Sequence, residues 1–142
     1  MNREKRIIVI GPGAVGGSTA GILTREGFDV TLVCKYPEVA AKISQEGIRI
    51  HGLGKDMVIR IPSVATVQEL DGTADLVLLA TKAMDMADSA RDVLPLLGEG
   101  TKVVSMQNGI MEEDLAKIVG GHRTVGCVVG FGQPCMHMGP SN

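Results

Sequence analysis

A glycine-rich stretch near the amino end has the residue types and spacing of a phosphate-binding turn. It reads Gly-Pro-Gly-Ala-Val-Gly over residues 11–16, after the apolar run 7–10 and before a helical pattern. The first glycine allows a tight turn, the third position admits a pyrophosphate to the backbone, and the sixth lets the helix lie close to a sheet. The helix start adds free N–H groups and a positive dipole end. We expect dinucleotide binding by Gly11, Pro12, Gly13, Ala14, Val15 and Gly16; a purely structural strand–turn–helix is the alternative.

The residue after the second apolar run indicates which dinucleotide is bound. NAD-binding proteins usually place an acidic residue there, about 20 residues beyond the glycines, to bind the ribose 2′-hydroxyl. This sequence ends the run with Cys34 and continues with Lys35. A lysine attracts a 2′-phosphate, so the pattern favours NADP over NAD. In the alternative, Lys35 is a solvated surface residue and Glu38 binds the ribose.

Two further polar residues follow apolar runs. Lys82 comes after the run 76–81, and Asn108 comes after the run 103–106. The carboxyl ends of parallel strands form the ligand-binding edge of an open α/β sheet, so both side chains are expected near the nicotinamide. An asparagine amide both donates and accepts hydrogen bonds and can hold a ribose hydroxyl and a substrate oxygen together. Read alone, Lys82 is a strand-end lysine and Asn108-Gly109 is a turn signal.

The elements that position these residues alternate between strands and helices. Continuous apolar runs predict buried strands at 6–10, 30–34, 76–81, 103–106 and 125–131. Amphipathic patterns predict helices at 14–26, 38–46, 85–97 and 111–119. Residues 48–50 and 58–61 alternate apolar with polar around a glycine-containing turn, which predicts a small antiparallel excursion. The fold class is therefore α/β: a doubly wound, mostly parallel Rossmann sheet with helices on both faces.

Composition excludes several classes of function. The 142 residues carry a net charge of −2, and Phe28, Tyr36 and Phe131 are the aromatic residues. There is thus no electrostatic or stacking basis for binding nucleic acid or an anionic membrane. The amino end reads neither as a secretory signal nor as a membrane span. Three cysteines without paired spacing favour a reducing compartment, with the cytoplasm as the default.

The motifs in combination resemble those of the ketopantoate reductase (2-dehydropantoate 2-reductase) family. They are the glycine loop, Val-Thr-Leu-Val at residues 30–33 with a basic residue after it, Thr-Lys-Ala at 81–83 and Gln-Asn-Gly at 107–109. Their spacing fits as well, and the resemblance covers essentially the whole chain. It implies NADPH-dependent reduction of ketopantoate to pantoate in pantothenate and coenzyme A synthesis. A small 2-oxoacid would be the substrate, with no nucleic acid or membrane as partner.

The resemblance also implies roles for individual residues. The glycine loop would bind the pyrophosphate and Lys35 the 2′-phosphate of NADP(H). Lys82 would line the cofactor and active-site cleft, and Asn108 would contact both cofactor and substrate. Gly132 stands where the family commonly has an alanine against the cofactor, and it would still admit the nicotinamide half.

The general-acid lysine of the family lies in a helical second domain, which the resemblance places beyond residue 142. We therefore expect residues 1–142 to form one NAD(P)-binding domain with no catalytic residue of its own and little turnover alone, because a ketone reduction needs a proton donor beside the carbonyl oxygen. Apolar groups around Phe131 and residues 136–138 would be exposed without that second domain, which is a possible basis for homo-oligomers.

Two other functions compete with this interpretation. A non-catalytic NADP-binding or sensing module would need no second domain, and a glycerol-phosphate or opine-type dehydrogenase shares the architecture. The loops at Lys82 and Asn108 argue against the dehydrogenases.

Other signals predict packing or helix stability and no chemistry. Metal binding is not expected, because the cysteines and histidines of the carboxyl-terminal region match no recurrent zinc spacing. Met84 and Met86 are interpreted as packing or lining residues. The acidic run 112–114 is interpreted as a helix start, where acids complement the dipole.

Overall fold

The computed structural model describes residues 5–11, 13–52, 55–106 and 111–126. Its strands are β1 (Arg6–Ile10), β2 (Asp29–Val33), β3 (Ile48–Gly52), β4 (Lys55–Ile59), β5 (Ser63–Val64), β6 (Ala74–Leu79), β7 (Leu97–Ser105) and β8 (Thr124–Gly126). Its α-helices are α1 (Ala14–Arg25), α2 (Pro37–Glu46), α3 (Met86–Asp92) and α4 (Met111–Val119). Single turns of 3-10 helix lie at Val67–Glu69, Ala83–Asp85, Leu94–Leu96 and Gly121–Arg123.

Six of the strands form a parallel sheet in the order β5-β2-β1-β6-β7-β8. The chain winds outward from β1 on one side through β2 to β5, then crosses over to β6 and winds outward on the other side. This is the doubly wound order, and its reversal point lies between β1 and β6. The predicted fold class is confirmed.

The sheet is covered on both faces because side chains on a strand alternate between them. Ile8 and Ile10 of β1 belong to one buried cluster, whereas Ile7 and Val9 belong to another. The first cluster includes residues of α3 and α4: Met86, Ala90, Leu115 and Val119. The second includes residues of α1 and α2: Ala20, Ala40 and Ile43. Burial on both faces explains why the strands read as continuous apolar runs.

The predicted antiparallel excursion is the hairpin β3–β4, which pairs Ile48 with Ile59 and Ile50 with Met57. It rests on α1 at Gly21, where an added Cβ would lie 2.4 Å from Ile50 Cδ1. The absence of a side chain at Gly21 therefore allows the hairpin to pack closely against α1.

Most element boundaries agree with the predictions within two residues. Strand β4 begins three residues before the predicted segment 58–61, and three further differences have physical reasons. The helix predicted to reach residue 97 ends at Asp92 and continues as the 3-10 turn Leu94–Leu96. Pro95 lies in that turn, and a proline has no N–H to continue an α-helix. Strand β7 starts at Leu97, six residues earlier than predicted, because Gly98, Glu99 and Gly100 hide it from an apolar pattern.

The third difference is β5, a two-residue edge strand that was not predicted. Of the predicted strand 125–131, the structure describes only β8, and the rest lies outside the described residues. Within the described ranges, no helix combines the length and apolar character needed to cross a membrane.

Candidate functional site

Gly11 lies where the ends of three strands meet. Its backbone N–H donates to the carbonyl oxygen of Val33 at 2.9 Å, and the N–H of Ala80 donates to that of Ile10 at 2.8 Å. Gly11 has φ +113°, and an added Cβ would lie 2.9 Å from the carbonyl oxygen of Ala80. Both the backbone conformation and the contact with β6 therefore require glycine.

Gly16 sets how closely α1 approaches the turn. An added Cβ would lie 2.1 Å from the Gly11 carbonyl oxygen and 3.0 Å from Ala80 Cβ. No side chain fits there without moving the helix away from the sheet. The predicted role of the sixth position, close helix–sheet packing, agrees with these contacts.

Gly13 differs from the other two glycines because the protein itself does not require it. Its φ is −66°, it is exposed, and an added Cβ would meet nothing within 4 Å. It is the N-cap of α1, no side chain caps the helix there, and the first turn carries no acidic residue. The helix thus begins without a side-chain cap, and a helix start is where an anionic group gains most from the helix dipole.

Pro12 lies outside the described residues, and the helical backbone of Ala14, Val15 and Gly16 forms the first turn. The part of the loop that is described therefore combines an uncapped helix start with room for a ligand at Gly13. At Gly11 and Gly16 an added Cβ would clash with the backbone of the protein itself. At Gly13 an added Cβ would meet nothing within 4 Å, so packing within the protein does not explain the glycine there.

Lys35 follows β2 at the same edge of the sheet. It is exposed, and among the described residues it is the one non-glycine with positive φ, at +77°. Its N–H donates to the carbonyl oxygen of Ala65 at 2.8 Å, which holds this conformation. A left-handed conformation costs a side-chain-bearing residue about 1–2 kcal/mol, so the position keeps a lysine despite strain. Glu38, the alternative ribose ligand, is also exposed, in the first turn of α2.

Cys34 is a buried free thiol beside Lys35. Burial raises the pKa of the Cys34 thiol, and a hydrogen bond with the Ser63 side chain lowers it by a smaller amount. The thiol therefore remains protonated at neutral pH and offers no nucleophile at this edge.

Lys82 follows β6, where it is exposed, and its carbonyl oxygen accepts the N–H of Asp85 at 2.9 Å. Beside it, Thr81 has a buried hydroxyl with no hydrogen-bond partner among the described residues. The backbone N–H of Thr81 lies 3.3 Å from where a Cβ on Gly11 would be, so the backbone of Thr81 borders the glycine loop. Thr81 belongs to the Thr-Lys-Ala motif at residues 81–83, but the sequence did not predict that its hydroxyl is buried.

The two methionines near Lys82 have different environments. Met86 is buried in the core against β6, as the packing interpretation predicted, whereas Met84 is 82% exposed. This exposed apolar side chain lies two residues from Lys82, in the turn that follows the carboxyl end of β6.

Strand β7 ends at the same edge, because the N–H of Met106 donates to the carbonyl oxygen of Leu79 at 2.9 Å. Asn108 and Gly132 lie outside the described residues, so their roles stay predictions. Among the residues that the structure describes, no group of three histidine, cysteine or acidic side chains is placed to hold a metal ion.

The chain is a doubly wound α/β protein of the Rossmann type, because its strand order reverses between β1 and β6 and a glycine turn follows β1 at that point. The family described as ketopantoate reductase PanE/ApbA matches residues 7–134. The chain belongs to this family, whose members are oxidoreductases, and the resemblance noted in the sequence is confirmed.

Individual relatives agree. The chain is 35% identical over 111 residues to the 2-dehydropantoate 2-reductase of Lactococcus lactis, covering 77% of this chain and 35% of that protein. It is 33% identical over 129 residues to the 2-dehydropantoate 2-reductase of Pyrococcus abyssi, covering 87% and 41%. The chain therefore spans about two-fifths or less of the length of these relatives.

Solved structures agree as well. A 2-dehydropantoate 2-reductase from Geobacter metallireducens superposes with a TM-score of 0.76 at 28% identity, over 91% of this chain and 44% of that one. A D-mandelate dehydrogenase in a ternary structure with NADH and anilino(oxo)acetate superposes with a TM-score of 0.74 at 29% identity, over 84% and 39%.

Proposed function

We propose that this chain is the NADPH-binding part of a 2-dehydropantoate 2-reductase-like enzyme of the cytoplasm, acting on a small 2-oxoacid such as ketopantoate. The observation that carries the proposal is the glycine turn that follows β1, at the point between β1 and β6 where the strand order reverses. There is room for a ligand at Gly13, the N-cap residue of the uncapped helix α1, whereas no side chain fits at Gly11 or Gly16.

The residues present fit a dinucleotide. A pyrophosphate at Gly13 meets N–H groups and the positive end of α1 with no carboxylate in the first turn to repel it. Because Gly11 and Gly16 carry no side chains, the start of α1 can lie close to the strand ends. In this proposal the backbone of residues 11–16 holds the cofactor through its phosphates.

Lys35 supplies the preference for NADPH over NADH. It is exposed at the end of β2, the strand whose Val33 carbonyl oxygen is bonded to Gly11. Two unit charges 4 Å apart attract by about 4 kcal/mol at an effective dielectric of 20, and 1.4 kcal/mol corresponds to tenfold in affinity. Even a small part of that attraction gives a clear preference for the phosphorylated ribose.

Lys82 and Asn108 are assigned to the other half of the cofactor and to the substrate. Strands β6 and β7 run parallel and end at the same edge as the glycine turn, and an open α/β sheet binds its ligands at that edge. NADPH, when bound, supplies the hydride for the reduction of a ketone. Lys82 orients the bound groups with its ammonium, and Asn108 holds a ribose hydroxyl and a substrate oxygen.

The proton for the reduction is assigned to a lysine of the family's helical second domain. A ketone reduction needs a proton donor within hydrogen-bond reach of the carbonyl oxygen, and the resemblance places that donor in the second domain. We therefore expect the 142-residue chain to bind cofactor and to reduce ketopantoate negligibly until a second domain is supplied. A non-catalytic NADP-binding or sensing module is the second candidate.

The test combines a titration with an assay. Calorimetric titration should show saturable NADPH binding that is tighter than NADH binding. Absence of binding to either nucleotide would overturn the proposal. Ketopantoate reduction that appears only after a family second domain is added supports the reductase, whereas tight NADPH binding without reduction in the reconstituted protein supports the binding module.

A further inference from the structure

Tyr36 occupies a position where nothing in the protein's own stability calls for an aromatic ring. It is 51% exposed and belongs to neither buried cluster. It is the N-cap of α2, yet its side chain makes no capping hydrogen bond. Serine, threonine, aspartate or asparagine would cap the helix better, so the residue type at this position has no structural explanation.

The ring is paired with Lys35, the residue assigned to the 2′-phosphate. Lys35 Nζ lies 5.8 Å from the centre of the Tyr36 ring, which is within range of a cation–π contact. About half of Tyr36 stays accessible even with this ammonium over its ring. A planar group thus has room to approach the tyrosine while the lysine remains beside it.

The chemistry of the nucleotide places its base next to its 2′-phosphate. In adenosine 2′-phosphate the phosphate and the adenine are attached to neighbouring carbons of one ribose. Groups that bind both must therefore be neighbours, and Lys35 and Tyr36 are consecutive in the chain. The strained backbone of Lys35, with φ +77°, fixes the direction in which the chain turns between them.

Tyr36 also lies close in the chain to the strand end that is bonded to the glycine turn. The Val33 carbonyl oxygen bonds to the Gly11 N–H, and Tyr36 is three residues beyond Val33. A nucleotide with its pyrophosphate at Gly13 thus brings its adenosine to the end of β2. From these relationships we propose that the Tyr36 ring stacks on the adenine of NADPH and, with Lys35, forms an adenosine 2′-phosphate site; this inference rests on the function proposed above.

The composition of the chain makes the proposal directly measurable. Tyr36 is the one tyrosine in the sequence, and there is no tryptophan. Its ring signals in a proton NMR spectrum therefore need no assignment among several tyrosines. Adenosine 2′,5′-bisphosphate is the probe, because it carries the base and the 2′-phosphate without the nicotinamide. Stacking on adenine should move the Tyr36 ring protons upfield at saturation.

Three variants separate stacking from other roles. Tyr36→Leu should weaken binding of both NADPH and adenosine 2′,5′-bisphosphate on the order of tenfold, as loss of base stacking on an aromatic side chain does. Tyr36→Phe keeps the ring and should bind within about twofold of the unaltered chain. Phe28→Leu is the matched control, because Phe28 is an exposed aromatic residue at the opposite end of β2, and it should leave both affinities unchanged.

The outcomes distinguish this inference from the proposed function. NADPH binding with unmoved tyrosine signals, or with equal affinity in Tyr36→Leu, would overturn the stacking role and leave the cofactor proposal standing. Equal weakening in Tyr36→Phe and Tyr36→Leu would assign the effect to the hydroxyl and would also overturn it. An unaltered chain that binds neither probe would overturn both proposals.

Discussion

The N–H of Gly11 and the carbonyl oxygen of Val33, 22 positions apart in the chain, are joined by a 2.9 Å hydrogen bond. This bond ties the phosphate-loop candidate to the strand that delivers Lys35. The glycine turn and Lys35, which are proposed to bind different parts of one nucleotide, therefore follow the ends of two adjacent strands, β1 and β2. A substitution that displaces the backbone of Gly11 or of Val33 should therefore displace the other through this hydrogen bond.

Substitution by alanine should have different effects at Gly13 and Gly16: it should mainly lower NADPH affinity at Gly13 and mainly lower stability at Gly16. Gly13→Ala places a Cβ in open space, so the free energy of unfolding should fall by less than about 1 kcal/mol, whereas NADPH affinity should fall at least about tenfold. Gly16→Ala places a Cβ 2.1 Å from the Gly11 carbonyl oxygen and should destabilise the fold by more than about 2 kcal/mol. Urea denaturation and NADPH titration of the two variants check this. A Gly13→Ala chain that binds NADPH normally would contradict the pyrophosphate role.

Lys35 should trade stability for affinity. Lys35→Gly relieves a left-handed backbone but gains unfolded-state entropy, so the net change in unfolding free energy should lie between zero and about 1 kcal/mol of stabilisation. The same variant loses the ammonium, and its preference for NADPH over NADH should shrink at least about tenfold. Lys35→Glu should shift the preference further by repelling the 2′-phosphate. Equal affinities of the unaltered chain for the two nucleotides would contradict the role of Lys35.

The buried hydroxyl of Thr81 should be a stability cost. It has no partner among the described residues, and a buried unpaired polar atom costs about 1–3 kcal/mol. Thr81→Val keeps the shape and removes the hydroxyl, so it should raise the free energy of unfolding by about 1 kcal/mol in thermal or urea denaturation. Thr81→Ser keeps the hydroxyl and is the control. A destabilised Thr81→Val chain would show that the hydroxyl is bonded in solution.

Cys34 should make the protein less stable at alkaline pH. Its pKa in the folded chain lies above the ordinary value of 9.0 because the thiol is buried. Once the pH exceeds that ordinary value, the unfolded chain releases its proton while the folded chain retains it, so stability falls until the pH reaches the folded pKa. Urea denaturation as a function of pH should show this decline, and Cys34→Ala should lack it. An identical decline in Cys34→Ala would assign the effect to other groups.

Much of the fold could be inferred from local patterns. The apolar runs predicted β1, β2, β6 and β7 because strands buried on both faces need apolar side chains at every position. The predicted helix at residues 111–119 has the same bounds as α4. Strand β5 was missed because two residues carry no period, and the early start of β7 was missed because its polar first half pairs only at Ala74.

The site divides in the same way. Glycine spacing and the basic residue after β2 were sufficient to choose Gly11–Gly16 and Lys35, because these choices depend on residue type at a strand end. The environments of Thr81 and Tyr36 were recognised only in the structure. Their importance lies in what surrounds them: a hydroxyl buried without a partner and a ring left exposed beside an ammonium.

By itself, then, the amino-acid sequence determined the alternation of strands and helices, the family and the position of the phosphate-loop candidate, since each of these is written in residue types at short spacing. Tertiary structure decided which strand ends meet, which glycine is free of internal contacts and which lysine is strained. Those properties depend on hydrogen bonds and close approaches between segments far apart in the chain, such as Gly11 with Val33 and with Ala80. No local pattern contains them.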